Sequence, residues 1–453
     1  MDGETVFKQI CERIPEAMKR LNVPGVAVGV YSDGREFGAG FGVTSTRNPL
    51  PVNEKTLFQI GSNTKTFVAT AAMRLVESGM LNLDTPIRKY LPDFRMRDAE
   101  ITASVTMRHL MTHTGGWLGD YFLDTGDGDD ALERYVAALA EMQQLTPLGT
   151  QWSYNNSAFS VAGHAIAKIT GKTFEAALKE LVIDPLGLRR SFIFPKDVMN
   201  HRFAVGHAFF NGQTYVLAPW ALPRSNWPAG GIAASVMDLI RYGRFHLGDG
   251  RNASGERILS RESLDAMKTT ICKGQFDITM GLSWWLREVD GVKAVFHGGG
   301  TLGQISAFNL HPQRDFALAM FTNSNAGGAL IYDATKDPMP EFLGYQEPKP
   351  EQVPMSAEQL GEYAGRYIGQ LGDVILSVRE NDLMMAQESK GGFPTSTTPP
   401  MPNPPPSRVA FIGKDLLVAL DAPLKDTRAE FLRDDAGKIL WMRTGGRLHP
   451  REK

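Results

Sequence analysis

Two stretches of period-two hydrophobicity lie far apart along residues 1–345, and any fold of this chain has to bring them together. Near the start, Val26, Val28 and Val30 alternate with small residues, Ser32-Asp33-Gly34 supplies a turn, and a Gly-rich return strand follows, which predicts a hairpin. From Ala294 to Thr322 the alternation returns, with His311-Pro312-Gln313-Arg314-Asp315 as the turn between two more strands. Ahead of the first hairpin, Val6, Ile10, Ile14, Met18 and Leu21 recur at helical spacing among Lys and Glu, the pattern of an amphipathic helix rather than a secretory leader. Between the two strand sets, residues 82–200 read as helices and loops, including a Gly/Asp-rich loop from Trp117 to Asp130. The fold class is therefore α+β: an antiparallel sheet flanked by helices, with an inserted helical subdomain.

The chain has 453 residues, too many for one ordinary domain, so a smaller appendage is expected. Pro348, Pro350 and Pro354 sit among charged residues, a composition that forms an extended linker. The predicted division is 1–345, a linker at 346–355, and 356–453. The last part carries short period-two runs, Val374/Leu376/Val378, Val409/Phe411, Leu416/Val418/Leu420, Ala429/Phe431 and Ile439/Trp441, separated by turn residues. These predict a small antiparallel β-barrel. The Pro/Thr-rich insert from Gly391 to Ser407 cannot join a ladder, because proline has no amide donor, and is read as a long exposed loop. The barrel brings no recognisable chemistry of its own, which suits an interaction module or a homo-oligomer contact.

Composition narrows the partners. A net charge of -2 with scattered basic residues leaves no field for nucleic acid, and no run approaches the ~20 apolar residues of a membrane span. Cys11 and Cys272 can form at most one bridge, so reduced thiols and a cytoplasmic setting are expected.

The chemistry begins at Ser62-Asn63-Thr64-Lys65, followed by an apolar helical pattern to about Gly79. A serine hydroxyl needs a base, and an amine at i+3 lies on the same helical face. The helix opening adds free amides and a positive dipole end. Lys65 must be neutral to act as a base, which requires burial or a cationic neighbour. A second signal is Tyr154-Asn155-Asn156, where a phenol can shuttle protons and an amide can orient the lysine. The third is His297-Gly298-Gly299-Gly300 at a strand end. There Gly298 and Gly299 let a substrate backbone lie against the strand edge, and the backbone amides of Gly300 and Ser62 can pair as an oxyanion hole.

In this order the motifs resemble the serine beta-lactamase and penicillin-binding-protein superfamily, nearest the class C lactamases, family VIII carboxylesterases and D-aminopeptidases. The resemblance spans about residues 10–340. It rests on Phe58-Gln59-Ile60-Gly61-Ser62-Asn63-Thr64-Lys65, His109-Leu110-Met111-Thr112-His113-Thr114-Gly115-Gly116, Trp152-Ser153-Tyr154-Asn155-Asn156, Pro185-Leu186-Gly187-Leu188 and Ala229-Gly230-Gly231. It implies that Ser62 is the acylated nucleophile, Lys65 and Tyr154 the base pair, Asn156 the positioning amide and His297 the third-motif residue. The segment from Tyr363 to Tyr367 resembles the opening of an appended lipocalin-like domain. Beta-lactamases usually carry Lys-Thr-Gly in the third motif, where a cation receives the antibiotic's carboxylate. His297-Gly298-Gly299 makes lactamase action incidental and carboxylester hydrolysis the default. Hydrolysis or cyclisation of peptides with D-residues is the main alternative, and an acylated sensor without turnover the third. The substrate is a small-molecule ester or peptide, and neither cofactor nor metal is implied.

Several other motifs have plainer readings. Gly298-Gly299-Gly300-Thr301-Leu302-Gly303 matches G-x-G-x-x-G but runs into an alternating strand instead of a helix. His109 and His113 have zinc spacing but no third ligand, which makes them a helix end. Asp124, Asp127, Asp129 and Asp130 lack the calcium-loop register, and no serine lies in G-x-S-x-G.

Overall fold

A computed structural model describes residues 1–210 and 212–453. Helix α1 (Gly3–Leu21) starts where the Asp2 carboxylate accepts the Thr5 amide at 2.8 Å and stops at Asn22 in the left-handed conformation, a side-chain N-cap and an αL C-cap. Its buried stripe is Val6, Ile10, Ile14 and Ala17. That stripe packs on Val26, Val28 and Val30 of β1 (Gly25–Ser32), with Leu318 and Met320 alongside. The intervening small residues of β1 face the opposite way for a steric reason. A Cβ at Gly29 would lie 2.9 Å from the Ile240 side chain, on the helix at Val236–Leu247. Both faces of the sheet are thus covered, and β1 is buried along its whole length.

The predicted hairpins form one sheet. The strands are β1, β2 (Arg35–Gly42), β3 (Cys272–Lys273), β4 (Thr279–Met280), β5 (Trp285–Val289), β6 (Val292–Thr301), β7 (Gln304–His311) and β8 (Phe316–Thr322), in the order β2-β1-β8-β7-β6-β5-β4-β3. Antiparallel pairing of β1 with β8, for example Val28 with Met320, closes the two distant ends on each other. Helix α2 (Thr64–Glu77) and, from the helical insert, α3 (Met107–Met111) and α4 (Asn156–Thr170) pack on the face away from α1. Among the described residues no helix is long and apolar enough to cross a membrane.

Beyond an extended stretch, β9 (Gly365–Tyr367), β10 (Gly372–Arg379), β11 (Asp382–Ser389), β12 (Ser407–Gly413), β13 (Leu416–Ala419), β14 (Arg428–Arg433), β15 (Ile439–Thr444) and β16 (Arg447–Pro450) pair in chain order. A bridge between Tyr367 and Arg451 nearly closes them into a barrel with its own core around Tyr367, Leu376, Leu383 and Met442. Two parities differ from the sequence reading. Leu417 and Ala419, not Leu416 and Val418, point inward, and Met442 replaces Trp441. The register shift at Leu432/Arg433 places one extra residue, Leu440, in β15 and reverses its alternation, whereas the shift at Phe411/Gly413 places Ile412 in β12 and leaves β13 alternating regularly in the other phase. Strands β11 and β16 were not among the predicted runs.

Candidate active site

Ser62 lies in a single 3-10 turn, Gly61–Asn63, that leads into α2. The α-helix itself therefore opens two residues after the serine. Gly61 has φ 51, a left-handed geometry that suits glycine, and a Cβ there would stand 2.7 Å from the Gly300 amide nitrogen. The turn that carries Ser62 thus lies directly against the glycine strand β6. A Cβ on Gly299 would fall 1.9 Å from the Ile60 carbonyl oxygen, so this contact exists only because Gly61 and Gly299 carry no side chain.

Lys65 is fully buried. Its Nζ lies 3.0 Å from Ser62 Oγ, 2.7 Å from Asn156 Oδ1 and 2.6 Å from the Ala229 carbonyl oxygen. An uncharged amine has two N–H donors and one lone pair. The Asn156 and Ala229 oxygens can only accept, so they take both donors and leave the lone pair for the Ser62 hydroxyl. Burial, and then the positive charge of Arg447, hold the Lys65 pKa well below that of a free lysine, while Asp120 opposes them. Asn156 opens α4. Its Nδ2 donates to Asp120 Oδ1 at 2.6 Å, which fixes the amide with its oxygen toward Lys65.

Tyr154 is 5% exposed, stacked on His113 at 4.4 Å between ring centres. Lys65 Nζ stands 4.9 Å from its ring centre, and the Arg447 guanidinium carbon 4.6 Å. Burial raises the phenol pKa, and hydrogen bonding with Ser62 pulls it back. His297 is neutral: burial, then the charge of Lys65, push it down to about 3. Its Nδ1–H donates to the Gly298 carbonyl at 2.6 Å. Among the described residues β6 has no strand partner on the β5 side beyond the Trp285–Phe296 pair, so Gly298, Gly299 and Gly300 present a free edge to a cavity of about 550 Å³. Ser62, Tyr154, Asn156 and His297 line the same cavity, with Phe122, Leu222, Trp285, Phe296, Leu371 and Phe393 as apolar walls. Every site residue named from the sequence is therefore in one place.

Four contributors were not foreseen. Arg447 reaches the cavity from the barrel and pairs with Asp120 at 2.9 and 3.2 Å. It follows a two-residue turn, Gly445-Gly446, with φ 53 and 80 between β15 and β16. That is a primed hairpin turn open to paired glycines, and the Gly-Gly pair between alternating residues was the available signal. Its tip docks beside the tyrosine, with Tyr154 N–H donating to the Gly446 carbonyl at 2.8 Å and Leu448 N–H to Ser153 Oγ at 3.2 Å. Phe393 comes from the Pro/Thr-rich insert, which is a pocket wall and not a free loop. Its ring meets Phe122 edge-on at 4.9 Å, and Ser396 N–H donates to the Phe122 carbonyl at 2.8 Å. His113 leaves α3 with φ 59, so it shares no helical face with His109. Its Nδ1 accepts the Asn155 amide at 3.0 Å instead. Among the described residues no cluster suits a metal ion.

This fold and this constellation define a serine hydrolase, and comparison with known proteins gives the same class. The beta-lactamase family model matches residues 12–337, and the chain belongs to that family. It is 33% identical over 345 residues to penicillin-binding protein 4 of Amycolatopsis lactamdurans, covering 75% of this chain and 91% of that one. Over 432 residues it is 23% identical to the unguisins hydrolase ungD of Aspergillus violaceofuscus (strain CBS 115571), covering 88% of this chain and 72% of the relative. A crystal structure of SurE with D-Leu superposes with a TM-score of 0.75 at 25% identity, covering 99% of this chain and all of SurE, the barrel included.

Proposed function

We propose that the chain forms a Ser62 acyl-enzyme with the carbonyl of a peptide-like substrate, preferentially one whose acylating residue has D configuration, and passes the acyl group to water or an amine. Lys65 removes the Ser62 proton as Oγ attacks, and the carbonyl oxygen is held by the backbone amides of Ser62 and Gly300. Tyr154, with Lys65, delivers a proton to the leaving group. In the second half the incoming water or amine gives its proton to the same pair, and Ser62 regains its own as the ester breaks. Gly298 and Gly299 offer main-chain pairing to a peptide, and Asn156 holds the amine. The reading is carried by the free glycine edge beside Ser62, a surface for extended backbone. It is supported by the full-length likeness to SurE solved with D-Leu and by the relative named for hydrolysis of unguisins.

The second reading is a carboxylesterase for small acyl groups, favoured by the uncharged His297 and the apolar walls. Both readings make beta-lactam turnover incidental. The deciding experiment compares p-nitrophenyl esters with matched peptidyl thioesters ending in D- or L-residues, followed by mass spectrometry. A kcat/KM for the D-peptidyl substrate at least about tenfold above its L-counterpart and the simple esters supports the first reading. Indifference to configuration supports the second. Loss of all turnover in Ser62→Ala is required by either, because the nucleophile has no substitute.

A further inference from the structure

The base does not end at Asn156. Lys65, Asn156, Asp120 and Arg447 form one continuous line of contacts at 2.7, 2.6 and 2.9 Å, and the line crosses from one domain to the other. Asp120 is 7% exposed, and Gln370 of the barrel also contacts it, accepting its backbone amide at 2.7 Å. We propose that Asp120 and Arg447 act as a positioning couple: the carboxylate locks the Asn156 amide with its oxygen toward Lys65, and the guanidinium from the barrel cancels that carboxylate's charge, so that the amine keeps its lone pair.

Each half of the couple has a physical reason. An amide side chain can turn end for end, and with Nδ2 toward Lys65 it would offer a donor to a donor. Asp120 accepts only, so it forbids that orientation. A bare carboxylate two hydrogen bonds from an amine in a low-dielectric site would stabilise the ammonium form, which cannot accept a proton. Arg447 removes that effect. The other groups facing the amine carry no charge that could replace it. His113 after α3 and His297 on β6 are held neutral by burial, and Tyr154 stays a phenol. Arg447 and Asp120 are the charged pair acting on Lys65, with opposite signs.

The inference concerns acylation itself and does not depend on which substrate class is correct. The test is the burst rate of p-nitrophenolate release from p-nitrophenyl acetate, measured on the full chain from roughly pH 5 to 9. Arg447→Met should move the acid limb upward by about one pH unit or more, because the uncancelled carboxylate favours the ammonium. Asp120→Asn keeps an oxygen for Asn156 and should move the limb downward. The double variant should bring the limb back toward the parent position, and Arg447→Lys should leave it in place. Opposite shifts that cancel are the signature of charge coupling. If Arg447→Met and Asp120→Asn lower the rate equally at every pH, or move the limb in the same direction, the proposal is overturned. Should Arg447→Met unfold, the downward shift in Asp120→Asn, set against Arg447→Lys, still decides. Where the parent shows no burst, acylation limits turnover and kcat/KM for the same ester reports the same limb; ester turnover that survives Ser62→Ala would instead count against the acyl-enzyme reading.

Discussion

In the proposed mechanism the central residue is Lys65, a lysine that must not be charged. Its two donors are occupied by oxygens that cannot reciprocate, so geometry and burial act in the same direction. His297 sits nearby, but burial pushes it down to about 3, below the range of roughly pH 5 to 9 in which the profile is read. Replacing it with Gln should therefore change the height of the kcat/KM profile against pH while leaving the acid limb where it is. A limb that moves would assign the titration to the imidazole. Gly299→Ala should be far more damaging, since its Cβ would meet the Ile60 oxygen at 1.9 Å. The expected loss is about a hundredfold in kcat/KM, with roughly 1–3 kcal/mol of stability from overpacking, measurable by ester turnover and urea melts. That Ser62, Lys65, Tyr154, Asn156 and His297 come together was legible because each sits in a short motif whose spacing has a chemical meaning. Asp120 was not, because an aspartate in a Gly/Asp-rich loop has no pattern of its own. Its burial and its contacts with Asn156, Arg447 and Gln370 distinguish it from its neighbours.

At the scale of elements, the helices and the sheet of residues 1–345 were readable from periodicity, and the barrel strands less so. A two-residue alternation is inverted by any single bulge, as Leu440 does in β15, and its phase in a short run such as β13 is not fixed by the pattern alone. Leu417 is fully buried while Leu416 is partly exposed. Leu417→Ala should cost about 2–5 kcal/mol, and Leu416→Ala less than about 1. Equal losses in denaturant melts would mean that the register is wrong. The β15–β16 hairpin is the element with most bearing on the site. Gly446 has φ 80 and a Cβ there would lie 3.0 Å from the Trp152 ring. Gly446→Ala should therefore strain the turn and displace Arg447, lowering ester turnover at least about tenfold while the barrel core persists in near-UV circular dichroism.

For the whole molecule, acid is the natural denaturant. His113, His246, His297 and His311 are all buried and held neutral, chiefly by desolvation. In the unfolded chain each takes a proton below about pH 6.5. The unfolded state then binds more protons, so stability falls as pH drops from about 6.5 toward the folded values, about 4 for His311 and about 3 for His297. Each histidine contributes at most about 1.4 kcal/mol per pH unit in that window. Tm should decline steeply between roughly pH 6.5 and 4, and His311→Gln should flatten the slope. An unchanged slope would remove His311 from the account.

The wall that Phe393 and Leu371 build over the serine belongs to a different stretch of chain from the serine itself. Part of the pocket's apolar boundary is therefore written in a different part of the gene from the serine, and that same part also supplies Arg447 through the docked hairpin. Exchanging the segment around residues 390–406 between relatives would retune which molecules enter while leaving the machinery that cuts them untouched.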